Sequence, residues 1–373
     1  MTRTLVVTND FPPRAGGIQT FVHSLVAGQP AGSVVVYASS SPGFLTFDAA
    51  QNFQVVRYPG SMLLPTRAAA REVAALARTH GCRSVLFGAA APLGLLAPSL
   101  RASGIRRLVA LTHGHEVGWA ALPGARTLLR RIGAAVDVVT YLGEYTRTRL
   151  AGLFGPAVRL ERLAPGVDTS MFSPAVDGSG VRAELGLAGR PVVVCVSRLV
   201  PRKGQDTLIR ALPLIRSAVP DAALLLVGGG PDQPRLQRLA VECGVPDDVV
   251  FTGSVPWPDL PAYYAAGDVF AMPCRTRRRG LDVEGLGMVY LEASATGLPV
   301  VAGDSGGAPD AVVNGETGFV VPGRSVRAVA DRVTALLSDP ALARGMGKKG
   351  RAWVEQDWRW DTVAARLGEL LAG

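Results

Sequence analysis

Two basic side chains, Arg198 and Lys203, stand five residues apart in Ser197-Arg-Leu-Val-Pro-Arg-Lys-Gly204, just past an apolar run. Fixed cations in a turn between strand and helix suit a diphosphate, which they bind and whose charge they offset as it departs. Lys203 is the only lysine before Lys348. Arginine-rich codon usage therefore did not dictate it. Further along, Glu284 and Glu292 are spaced eight residues apart. With a helix opening near Glu284, the two carboxylates lie roughly 12 Å apart along its axis and about 80° apart around it. That spacing suits two contacts on one elongated ligand better than one shared proton. The free amides of such a helix start accept an anion or a polar oxygen; a solvated helix end is the competing reading.

Three glycine clusters and two histidines add to the set. Gly16-Gly17 lies between the first strand and its helix, where backbone amides approach a phosphate or sugar closely. It lacks a GxGxxG pattern, and no acidic residue ends the next strand, so a nicotinamide site is poorly supported. Gly228-Gly-Gly-Pro231 and Gly303-Asp-Ser-Gly-Gly307 follow other strand ends. Thr112-His-Gly-His-Glu116 brings His113 and His115 together. No third ligand set at metal spacing accompanies them, and a hydrogen bond to a substrate hydroxyl is the more economical use. Arg126, Arg130 and Arg131 among Leu128, Leu129 and Ile132, and Arg67 and Arg71 behind Ser61-Met-Leu-Leu-Pro65, suit either an anionic membrane surface or a plain solvated face. Arg275 and Arg277 to Arg279 suit an acceptor phosphate or solvent.

Strand signals alternating with helical patterns position these residues, which means a parallel α/β sheet. One series runs from Thr4–Thr8 to Val158–Leu163. A linker at Ala164–Pro174, continuing into Asp177-Gly-Ser-Gly180, precedes a second series from Pro191 to Val321. The expected domains are 1–165 and 166–357, two Rossmann-like folds with a cleft between them. Ligands of such sheets bind at the carboxyl ends of the strands.

Of 373 residues, 48% are hydrophobic and 18% charged, a soluble and well-cored composition. The start leads straight into a strand, with no signal-peptide pattern, and no apolar run is long enough to span a bilayer. The four scattered cysteines make no CxxC pair and read as buried thiols in a reducing compartment. Residues 1 to 165 hold 17 Arg against 7 acids, +10, while the rest hold 22 basic against 23 acidic residues, −1. An anionic partner for the first half follows. Nucleic-acid signatures are missing, and nucleic acid is not expected.

In order, Gly16-Gly17, Pro165-Gly-Val-Asp168, Arg198…Lys203-Gly204, Gly228-Gly-Gly-Pro231 and Glu284-x₇-Glu292 resemble the retaining glycosyltransferases of family 4 over nearly the whole chain. The resemblance implies the GT-B architecture, with parallel sheets facing across a cleft and a last helix, about 358–373, returning to the first domain. It implies that Arg198 and Lys203 grip the nucleotide diphosphate, and that Glu284 contacts donor-sugar hydroxyls and Glu292 the ribose. Gly16, Gly17, Gly228 and the backbone of Gly285, Leu286, Gly287 and Met288 would complete the donor site. His115, with His113 in reserve, would reach the sugar near the reacting carbon. Val6–Arg14, Thr112–Trp119, Ser197–Asp206 and Met272–Arg277 are similar, more narrowly, to the phosphatidylinositol monomannoside α-1,6-mannosyltransferases. That branch implies GDP-mannose as donor and a phosphatidylinositol monomannoside as acceptor. It also implies peripheral attachment to the cytoplasmic face of the plasma membrane and no metal or other cofactor. Three alternatives stay open: another sugar nucleotide or acceptor, a GT-B sugar-nucleotide epimerase, and a non-catalytic phosphoinositide-binding protein.

Overall fold

The computed structural model describes residues 3–14, 16–114, 116, 123–155, 158–280 and 282–373. The chain divides into two compact units, residues 1–166 with 360–373, and residues 167–359.

The first unit is built on seven parallel strands: β1 (Arg3–Thr8), β2 (Val34–Ser39), β3 (Gln54–Tyr58), β4 (Cys82–Phe87), β5 (Arg107–Ala110), β6 (Val138–Tyr141) and β7 (Arg159–Arg162). Their order is β3-β2-β1-β4-β5-β6-β7. β2 is buried along its whole length, as a strand covered on both faces must be. Successive side chains serve opposite faces. Leu5, Val7, Val35 and Tyr37 join one core with the helix Arg67–Thr79. Val6, Val34, Val36 and Ala38 join another with the helix Gly17–Ala27. The final helix, Trp360–Ala372, covers that second face through Val363, Leu367, Leu370 and Leu371. A Cβ on Gly28 would come within 2.6 Å of Ala364 Cβ, so glycine permits the close approach of the two helices.

The second unit has six parallel strands: β8 (Val192–Val196), β9 (Ala223–Val227), β10 (Val249–Gly253), β11 (Val269–Met272), β12 (Val300–Gly303) and β13 (Gly318–Val321), ordered β10-β9-β8-β11-β12-β13. The order reverses between β8 and β11, so the loops leaving those strands diverge and open a crevice at their carboxyl ends. Arg198, Lys203 and Glu284 all lie in loops from these two strands.

Two local expectations are corrected. The helix carrying Glu292 starts at Met288, not near Glu284, because Gly287 takes φ 85° as its N-cap. Glu284 is therefore in the preceding loop, and the helical spacing of the two carboxylates does not apply. Residues 177–180 are not simply linker, since a helix Ser179–Glu184 begins inside them. In the run from Arg275, which the sequence left open between an acceptor phosphate and solvent, Arg275 pairs with Asp206 at 2.8 Å, and Arg277 lies 3.8 Å from Asp282.

Candidate functional site

The turn after β8 brings its cations to the β11 side through a short 3-10 turn, Pro201–Lys203, ended by Gly204 at φ 81°. A Cβ on Gly204 would sit 2.0 Å from Pro273 O, so only glycine lets the turn lie this close to the end of β11. Arg275 N donates to Arg202 O at 2.8 Å and ties the two loops together. Lys203 is buried, 8% exposed, and Arg198 is exposed.

Glu284 is the point on which these loops converge. Its Oε2 receives Lys203 Nζ at 2.8 Å and Arg202 Nη1 at 2.5 Å. Burial by itself would push this carboxyl up; the charges and hydrogen bonds of Lys203 and Arg202 outweigh it and hold the carboxyl below its ordinary range. Arg202 also approaches Asp282 at 3.4 Å. The loop after β12 supports Glu284 from beneath: Gly307 N donates to Glu284 O at 2.9 Å, and Ser305 Oγ lies 3.4 Å from Glu284 N. Cβ atoms on Gly306 and Gly307 would fall 2.0 Å from Glu284 O and 2.1 Å from Gly285 O. The glycines of the 303–307 loop thus seat the Glu284 backbone, and those at Gly228 and Gly230 seat the β8 turn in the same way, against Ser197 O and Leu199 O at 2.3 Å.

Glu292 stands apart from this cluster. It is 8% exposed, and its Oε2 accepts the Tyr264 hydroxyl at 2.6 Å. Burial raises its carboxyl, and the Tyr264 hydrogen bond offsets only part of that. Gly285, Gly287 and Met288 are half-buried around buried Leu286.

In the first unit, Gly16 and Gly17 open the helix Gly17–Ala27 and are exposed; a Cβ on Gly17 would touch nothing within 4 Å. His113 follows β5, with its Nε2 2.6 Å from Gly88 O. A carbonyl only accepts, so Nε2 carries the proton. Buried Glu116 accepts the amides of His113 and Gly114, each at 3.0 Å, and fixes that turn. His115 lies outside the described residues. Arg67 and Arg71 are exposed on their helix and line a groove of about 690 Å³ with Arg78. Arg126, Arg130 and Arg131 are exposed on the helix Pro123–Ala135. A second concavity, of about 1010 Å³, takes in Arg131, Arg101 and Arg107. It sits where β5 and β6 begin, the opposite edge of the sheet from the strand-end loops.

Among the described residues no group of three or more His, Cys, Asp or Glu is placed to hold a metal ion, and no helix is long and apolar enough to cross a membrane. The arrangement offers a buried and a half-buried cation, Lys203 and Arg202, on one carboxylate, with exposed Arg198 in the same β8 turn, at the carboxyl ends of parallel strands. Sequence reasoning missed Arg202, which pairs with Glu284, and Tyr264, which pairs with Glu292.

The model for "Glycosyltransferase Family 4" matches residues 15–171, and that for "Glycosyl transferases group 1" matches residues 181–353. A GDP-mannose-dependent alpha-(1-6)-phosphatidylinositol monomannoside mannosyltransferase of Mycolicibacterium smegmatis is 54% identical over 99% of this chain and 98% of its own length. The chain belongs to glycosyltransferase family 4. A GDP-mannose-dependent monoacylated alpha-(1-6)-phosphatidylinositol monomannoside mannosyltransferase of Corynebacterium glutamicum is 47% identical over 99% of this chain and 97% of its own. The solved structure of Anabaena Alr3699/HepE with UDP shares the fold, with a TM-score of 0.82, 22% identity and all of both chains covered. The family's GT-B architecture of two Rossmann-like folds accounts for both sheets.

Proposed function

We propose that this chain moves mannose from GDP-mannose to a phosphatidylinositol monomannoside, forming an α-1,6 linkage with retention at the anomeric carbon. The observation that carries this reading is the 54% identity over essentially full length to the M. smegmatis mannosyltransferase. The chemistry of the β8 and β11 loops agrees with it. In this reading Arg198 and Lys203 take the diphosphate, and Glu284 the sugar hydroxyls, aided by the backbone of Gly285 to Met288 and by Gly16, Gly17 and Gly228. Glu292 takes the ribose. His115 meets the sugar, with His113 in reserve for that role.

The acceptor hydroxyl attacks the anomeric carbon from the face that the diphosphate leaves. The new carbon–oxygen bond forms as the sugar–phosphate bond breaks, and the acceptor's proton passes to the departing phosphate oxygen. Arg198 and Lys203 offset the charge on GDP, so no resident metal is needed in this scheme, and turnover is expected to stay within twofold in excess EDTA.

The acceptor's anionic headgroup fits the first unit, whose Arg67, Arg71, Arg126, Arg130 and Arg131 are all exposed. Met62 and Leu64 are 61% and 52% exposed beside Arg67, while Asn9 binds both backbone groups of Leu63 between them. Apolar side chains beside exposed arginines suit an anionic bilayer face, which supports peripheral attachment at the cytoplasmic leaflet.

The test is incubation with GDP-[¹⁴C]mannose and vesicles holding the monomannoside. Label in a dimannosylated lipid is expected. Conversion of the sugar nucleotide without acceptor would mean an epimerase, and binding without turnover a non-catalytic protein.

A further inference from the structure

The Lys203 ammonium and the Glu284 carboxylate are each suited to a different part of a sugar nucleotide, yet they bind each other. The contact is 2.8 Å, and the two side chains are 11% and 9% exposed. It is not the carboxylate's only partner, because Arg202 reaches the same Oε2 at 2.5 Å. An ammonium sharing a carboxylate oxygen with a guanidinium can be given up without leaving a bare buried charge, which would cost several kcal/mol.

We infer that the Lys203–Glu284 ion pair is an exchange contact. It neutralises the Lys203 ammonium and the Glu284 carboxylate against each other, an incoming nucleoside diphosphate takes Lys203 from it, and Arg202 alone then holds Glu284 ionised and aimed. The inference rests on the reading of this site as a sugar-nucleotide site. Arg202 is here a positioning residue. Donor binding and alignment of Glu284 become one event, because the diphosphate that removes Lys203 also clears one side of the carboxylate for a hydroxyl group.

The test is calorimetric titration of GDP into the full chain and two variants. Glu284→Asp keeps the charge but draws the carboxylate back by one methylene, loosening it from Lys203. Glu284→Gln keeps the shape and removes the charge. Exchange predicts that both variants bind GDP more tightly than the native chain, by roughly three- to tenfold. Simple removal of repulsion predicts tightening in Glu284→Gln alone, and that outcome overturns the proposal.

A second readout does not depend on how the variants fold. The chain has three lysines, Lys203, Lys348 and Lys349, so ¹⁵N-lysine labelling yields three ammonium signals to assign. Saturating GDP should move the Lys203 signal and leave the other two in place. A Lys203 signal unmoved by bound GDP also overturns the proposal. Failure of the native chain to bind GDP at all would instead count against the sugar-nucleotide reading itself.

Discussion

Glu284 and Glu292 carry the same carboxyl group, yet their surroundings move it in opposite directions. Two cations hold Glu284 down against its burial; a single tyrosine leaves Glu292 raised. The consequences for stability have opposite signs. The contribution of Glu284 is present above the unfolded value of about 4.3 and is lost as pH falls through its folded value. For Glu292 the folded state holds its proton more tightly, so stability falls as pH rises from about 4.3 through the raised value. Glu292→Gln keeps an acceptor for the Tyr264 hydroxyl. It is expected to raise the thermal midpoint at pH 7 by about 2–4 °C, the shift that about 1 kcal/mol makes in a unit of this size, with little gain at pH 4. GDP-mannose affinity should fall roughly tenfold, the loss of one hydrogen bond to a charged group. Melts at both pH values and calorimetry check the pair of effects; a lower midpoint at pH 7 would contradict the assignment. The sequence marked Lys203 because lysine is rare in this chain. It could not mark Arg202 among 36 arginines, and nothing about Tyr264 announces a contact 28 residues away.

At the scale of elements, two glycines separate packing from ligand contact. Gly306 has φ 59°, and a Cβ there would lie 2.0 Å from Glu284 O, so Gly306→Ala should cost about 3 kcal/mol in urea unfolding. Gly17 has open space around it. Gly17→Ala should leave stability unchanged to within about 0.5 kcal/mol yet cut turnover at least tenfold, if this helix start meets the donor. Unchanged turnover would remove Gly17 from the site. Most of the parallel strands were legible because their sequences are nearly continuous apolar runs; β11 and β13 have the bounds that their patterns suggest. Where helix Met288–Ala295 begins was not legible, although Gly285 and Gly287 were a signal against a helix at Glu284. A left-handed residue just before Met288 stops the helix from extending backwards. The short helix Glu144–Leu150 also escaped notice, since charged and threonine residues hide its two buried positions, Thr146 and Leu150.

For the whole molecule, the charge split between the two halves could be counted directly, and the proposed acceptor gives it a use. The chain should bind vesicles containing anionic phospholipid and release them as salt rises, with little binding to neutral vesicles. Arg67→Gln with Arg71→Gln should weaken co-sedimentation by about 30-fold, at about 1 kcal/mol per charge. Equal binding to neutral vesicles would contradict the basic surface's role.

The central claim is that the β8 turn offsets the charge of a departing GDP, and Lys203 tests it most directly. Turnover of Lys203→Ala should be measured as mannose transferred to lipid at saturating GDP-mannose, alongside its melting curve. kcat should fall by about 10²- to 10³-fold, the size seen when one donor to a developing anion is removed, with the chain still folded. A kcat close to that of the native chain would contradict it.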